Sequence, residues 1–321
     1  MKPNLVLLCG LIFANAFWHG EIQSDSAAQT IERYRRQGDV FLSRVRPGIY
    51  DATSDSDKII EDKIVYRVTP VPGVNGFAYV RDGQRYIDIP AGMIEIIDWV
   101  GTNGAITTAK GKQLCGAEYV QYLGDTIADN TALFYSNLKL REATSPYQFY
   151  YSHATECPQV APDEVNAQGQ MNDLRQIMTS VMLQLVLAHE IGHHVHNDVF
   201  SNVSWCEQQH RESRADQYSY NVLERMGNPP SVGINLMLIF ATVEGFSADD
   251  ANKNHPAALK RMLAMLETTQ EVYRTNPALR EGLQSTGNAK QLFDTIDGME
   301  TTIRTEVASA KRADPSSVCS E

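Results

Sequence analysis

His189 and His193 stand four residues apart in the run His189-Glu190-Ile191-Gly192-His193. On a helix that step brings both imidazoles to one face, one turn apart, where a single ion can bind both. A catalytic zinc takes three protein ligands and leaves its fourth position to water, so a third ligand is required. Glu212 is the candidate, with eighteen residues between it and His193. Asp216, one helical turn after Glu212, can accept the free N–H of a ligand histidine and so fix its tautomer. Glu190, beside the first ligand, is the expected general base: it would take a proton from a metal-acidified water and pass it to a leaving amine. One Zn2+ per chain is therefore the expected cofactor, and peptide-bond hydrolysis the expected reaction.

The motif needs a helix, and residues 172–196 supply one. They contain no Pro and Gly192 as their sole Gly, while Leu174, Ile177, Met178, Val181, Met182, Leu185 and Val186 recur at helical spacing. Upstream, residues 27–45 read as an amphipathic helix ending at a Pro47-Gly48 break, followed by an Asp- and Ser-rich linker. Ile64-Val65-Tyr66-Arg67-Val68 alternates as a strand. Residues 77–80 and 85–89 frame an Arg81-Asp82-Gly83 turn, a hairpin signature. Residues 102–170 carry Tyr147, Tyr150 and Tyr151 near Cys157 and read either as a lid or as a packed, disulfide-linked subdomain, the latter being preferred. Beyond Leu266 the pattern is helical and polar, notably over 289–311. His194 points off the ligand face, His196 lies near the helix end and His210 sits in a polar stretch, so none of the three is expected to be a ligand.

Four blocks of this chain, in order, resemble the gluzincin metallopeptidases that include the CAAX prenyl protease, HtpX and BepA. Val74-Asn75-Gly76-Phe77-Ala78, continuing through Gly83 to Ile87-Asp88-Ile89-Pro90-Ala91-Gly92-Met93-Ile94, is similar to that family's Asn-Ala-Phe-Ala hairpin and following helix start. The two zinc blocks come next, the second extending from Val222 to Pro229. Asn254-His255-Pro256 with Arg261 is similar to the His-Pro-x-x-x-x-Arg signature. The resemblance implies an α/β (α+β) zincin-like fold, mostly helical, with a small sheet packed on the active-site helix. It implies that His255 is an electrophile donating to the oxyanion of the tetrahedral intermediate, and that Arg261 supports that charge or braces Glu212. In zincins generally an edge strand beside this helix holds an extended peptide; Arg85, Tyr86, Ile87, Asp88 and Ile89 are the candidate strand. The short spacing between His193 and Glu212 departs from the membrane members and is closer to thermolysin-like and ImmA-type enzymes.

Lys2, an apolar core over residues 5–13 and Ala14-Asn15-Ala16 read as an export signal cleaved after Ala16. The apolar run is too short for a stable membrane span. Leu7 and Leu8 before Cys9 argue against a lipoprotein, and Cys9 would leave with the signal. The expected location is periplasmic or secreted. Cys115, Cys157, Cys206 and Cys319 remain, an even number that suggests disulfides in an oxidising compartment. Three connectivities are possible, and Cys115–Cys157 with Cys206–Cys319 is preferred. A net charge of −11 argues against non-specific nucleic-acid binding. The expected partners are protein or peptide substrates, with outer-membrane or envelope factors.

The expected organisation is a signal at 1–16, an N-terminal helix and linker at 17–60, a metallopeptidase domain at 61–266 with 102–170 as its insertion, and a helical extension at 267–321. A periplasmic chaperone that keeps the zinc but mainly binds clients is the alternative of a different class. An ImmA-like regulatory protease, which would require an uncleaved N-terminus, is the third.

Overall fold

The structure, a computed structural model, describes residues 27–135, 143–153, 157–167, 169–199, 203–243, 258–285 and 289–313. Helix α1 (Ala27–Ala52) turns Tyr34, Leu42, Val45 and Ile49 into the core. It does not break at Pro47-Gly48 but continues to Ala52. A proline inside a helix forfeits a hydrogen bond and crowds the preceding turn, at a cost of about 3 kcal/mol; the buried side chains of Val45 and Ile49 on either side offset it. The expected linker is instead a short helix, α2 (Asp55–Glu61), begun by the Ser54 hydroxyl accepting the Asp57 N–H at 3.3 Å.

Strands β1 (Ile64–Thr69), β2 (Phe77–Arg81) and β3 (Gln84–Pro90) form a three-stranded sheet in the order β1-β3-β2. β3 runs parallel to β1 and antiparallel to β2. The expected hairpin is present, with Asp82 and Gly83 at φ 51° and 78°, the pair of left-handed residues that the commonest two-residue hairpin turn demands. One face of the sheet buries Ile64, Val68, Ile87 and Ile89. The other carries Tyr79 stacked on Tyr86 at 5.2 Å and Arg67 paired with Asp88 at 2.8 Å.

Nine helices follow among the described residues: α3 (Ala91–Lys110), α4 (Gln113–Tyr135), α5 (Pro146–His153), α6 (Pro162–Asn166), α7 (Gln170–Val195), α8 (Trp205–Arg225), α9 (Ile234–Val243), α10 (Ala258–Thr275) and α11 (Pro277–Ser285), before the last, α12 (Ala289–Ala313). The chain is thus mostly helical with a small mixed sheet. Helix α7 is its axis, because two hydrophobic clusters meet on it. Met182, Leu183, Val186 and Leu187 join the sheet, α1 and α3–α5, whereas Val181 and Leu185 join Tyr220, Leu223, Met262, Met265 and Ile296. A helix with packing on several faces is apolar around most of its girth, which is the pattern read in its sequence.

The described residues of 102–170 contribute to the main core. Thr102 lies within α3, and Tyr119, Phe149 and Tyr150 are buried in the larger cluster. Cys115 and Cys157 are bonded, as expected, tying α4 to the approach to α6. Cys206 is also disulfide-bonded; Cys319, its expected partner, lies outside the described residues, as do residues 1–16. The boundary expected after Leu266 falls inside α10, where Met265, Leu266 and Val272 are all buried, so no domain edge occurs there. Among the described residues no helix is long and apolar enough to cross a membrane.

Helix α3 carries an acid out of water. Burial pushes Glu95 up to about 7, with Arg33 opposing the shift and Asp98 adding to it. Between its ordinary 4.5 and this value the folded state binds more protons than the unfolded one. The contribution of Glu95 to stability is therefore present below pH 4.5 and lost as pH rises through 7. Glu95→Gln is expected to raise the melting temperature at pH 8 and to flatten its dependence on pH, as thermal melts across this window would show.

Candidate metal centre

Helix α7 places His189 and His193 one turn apart with ring centroids separated by 4.8 Å. Helix α8 brings Glu212 against both: its carboxylate oxygens lie 3.2 Å from His189 Nε2 and 3.5 Å from His193 Nε2. One ligating atom from each of the three residues lies within 4.8 Å of the others, and all three side chains are buried. Two imidazoles and one carboxylate are a donor set suited to a divalent metal ion, and this group could hold one.

That convergence depends on how closely the two helices approach. A Cβ on Gly192, inside the motif, would stand 3.0 Å from Ala215 Cα and 3.1 Å from Tyr218 Cβ, both on α8. A side chain there would push α8, and Glu212 with it, away from the imidazoles. The turn out of α7 is equally constrained. Asn197 takes a left-handed conformation at φ 60°, one that Asn tolerates better than most residues. The Asp198 N–H then donates to His193 O at 2.8 Å. The buried Asp198 carboxylate accepts from Arg214 at 2.9 Å. Arg214, part of the Glu-Ser-Arg-Ala-Asp stretch, thereby ties α8 to the end of α7.

Asp216 lies against His189. Its Oδ1 lies 2.9 Å from His189 Nδ1, and Arg261 donates to both of its oxygens at 2.7 and 2.8 Å. Burial favours the neutral form of Asp216, but Arg261 and His189 outweigh it and hold the carboxyl below its ordinary range. Burial likewise opposes a charge on His189, yet the hydrogen bonds to Asp216 and Glu212 pull it up to about 10. That proton is one a metal must displace.

Three expectations change. Arg261, expected at the oxyanion or on Glu212, makes a buried two-point pairing with Asp216, with the charge of Glu212 also acting on it. His255 lies outside the described residues. The Arg85–Ile89 stretch is not an edge: β3 is bonded on one side to β1 and on the other to β2. Its backbone groups are used on both sides, and the edge facing α7 belongs to β2.

β3 serves the centre differently. His194, buried and one residue beyond the second ligand, meets Tyr86 O with its Nε2 at 2.9 Å, while Arg85 Nη1 lies 3.1 Å from its Nδ1 and donates to its backbone O at 3.2 Å. A guanidinium only donates, so Nδ1 accepts and Nε2 carries the hydrogen donated to Tyr86. Burial, with the charge of Arg85 adding to it, drives His194 down to about 4, against the pull of the Tyr86 bond. His194 is thus a neutral clamp between sheet and active helix, off the ligand face as its spacing implies. Gln208, which sequence reasoning missed, donates to Glu212 Oε1 at 3.1 Å; its place one turn before Glu212 on α8 was the available signal.

No family model, no curated protein and no solved structure matches this chain.

Asp216→Asn would remove the charge that orients His189 and leave the Arg261 guanidinium buried without its counter-charge. Metal affinity is expected to fall about 10- to 100-fold, and the unfolding free energy to drop by about 3–5 kcal/mol. Calorimetric metal titration and urea unfolding measure the two losses separately.

Proposed function

We propose that this chain is an exported zinc-dependent endopeptidase with a gluzincin-type, zincin-like fold, hydrolysing peptide bonds in envelope or extracellular proteins. The observation that carries the reading is the spacing of Glu212 from the two histidines, 3.2 and 3.5 Å. Ligands bonded tetrahedrally to zinc at about 2.0–2.1 Å stand roughly 3.3–3.4 Å from one another; each histidine lies near that distance from one oxygen of Glu212, and the three ligating atoms lie within 4.8 Å of one another, which supports a shared ion. The Cys115–Cys157 bond supports export, since disulfides persist in oxidising compartments.

His189, His193 and Glu212 would hold the zinc, which when bound supplies Lewis acidity toward a water and a substrate carbonyl. Glu190, buried beside the first ligand, accepts the proton of the attacking water and returns it to the departing amine. Asp216 keeps the Nδ1 hydrogen of His189 engaged, which leaves Nε2 as the donor toward the ligand side. Arg261 keeps Asp216 ionised. An extended substrate adds as a further strand along β2, whose outer edge has no partner strand among the described residues.

Elemental zinc analysis and casein cleavage, for wild type and Glu190→Gln, test this reading. One zinc per chain in both is expected, with cleavage reduced about 10²- to 10⁴-fold in the variant. Zinc in both with cleavage in neither would replace hydrolysis by a zinc-bearing, client-binding role. Absence of zinc from the wild type would remove the metal reading itself.

A further inference from the structure

β1 and β2 lie on opposite sides of β3, so the chain between them, residues 70–76, must pass across the end of β3. It passes where β3 runs into α3, since β1 and β3 are parallel and finish together at Thr69 and Pro90. The crossing must cover two strand spacings, about 10 Å, in Pro70-Val71-Pro72-Gly73-Val74-Asn75-Gly76, where two prolines fix φ and stiffen the path.

Both ends of this strap are seated by glycines. At its start the Gly92 N–H, in the first turn of α3, donates to Val71 O at 3.1 Å. A Cβ on Gly92 would stand 2.6 Å from Pro72 C and O and 2.7 Å from Gly73 O, all backbone atoms of the strap. At its end Gly76 meets the active helix. The three atoms nearest a Cβ on Gly76 all belong to Glu190: Oε1 at 2.7 Å, and Cδ and Cγ at 3.1 Å. Gly76 is not among the residues with positive φ, so its backbone would accept an L-residue. The nearest obstacle to one is the Glu190 side chain.

The geometry points to Gly76 as a positioning residue for Glu190: the strap, pinned on Gly92, holds a side-chain-free backbone against the carboxylate and sets the space in which that carboxylate sits. A general base works only within hydrogen-bond reach of the proton it takes, and a methyl group on residue 76 would displace it from its present place. The assignment of a catalytic task to that contact rests on the proposed peptidase reading; the contact itself does not.

The test is a thermal double-mutant cycle with an activity arm. Gly76→Ala is expected to lower the melting temperature by about 3–8 °C in the wild-type background, the penalty of an overpacked contact. In a Glu190→Ala background the same substitution should cost nothing or stabilise slightly, because the opposing carboxylate is gone and alanine restricts the unfolded chain. Gly73→Ala, whose Cβ would lie at an ordinary 3.5 Å from Pro90 Cγ, is the control in the same strap and should leave both properties unchanged. On a fluorogenic peptide, Gly76→Ala should lower kcat at least 10-fold with KM and zinc content within twofold of wild type. An equal thermal penalty in both backgrounds, or none in either, overturns the contact. A Gly76→Ala enzyme with unchanged kcat overturns the positioning role. A wild type without peptidase activity sinks the proposed function instead, and the thermal cycle still decides whether the strap bears on Glu190.

Discussion

Four ionisable side chains, His189, Glu190, Glu212 and Asp216, share an interior almost closed to water. Isolated charges there would cost several kcal/mol each, and the surrounding structure is arranged around that cost. Arg261 neutralises Asp216, Asp216 polarises His189, and Gln208 donates to Glu212. Three carboxylates, one guanidinium and the imidazoles of His189 and His193 thus meet between α7 and α8. Among them His189, His193 and Glu212 form a buried group that could hold a metal ion.

The geometry that meets this electrostatic demand comes from close packing on three sides. Gly192 lets α8 approach, the Asp198–Arg214 pair fastens the turn between the helices, and His194 clamps β3 to the opposite face. These contacts fix the course of the two helices and the strand behind the histidines, while Gln208 holds Glu212 from its own helix. Among the described residues, the side chain of Arg261 is directed at Asp216.

Local periodicity and motif spacing made much of this legible. The active helix was read as residues 172–196 and is Gln170–Val195; the hairpin and its turn fall where alternation and Asp82-Gly83 place them. His189, His193, Glu212 and Asp216 converge as their spacings imply, because each spacing is a property of one helix or of two helices joined by a short connection. The failures have a common cause in longer-range structure. Pro47 argues locally for a helix end, and tertiary burial overrides it. Strand order cannot be read from alternation, so the sequence does not reveal that the crossing of residues 70–76 makes β3 central. The motif points Arg261 to the oxyanion or to Glu212, because nothing local reveals that it pairs with Asp216. His194 and Gln208 had no signal beyond their nearness to ligands.

Helix α7 belongs to both hydrophobic clusters at once. Neither half of the molecule can loosen on its own without stripping apolar contacts from the helix that carries His189, Glu190 and His193. Opening motions that separate α7 from either cluster are consequently drawn from the costly end of the conformational spectrum, so the framework behind the two histidines outlasts excursions confined to the surface helices.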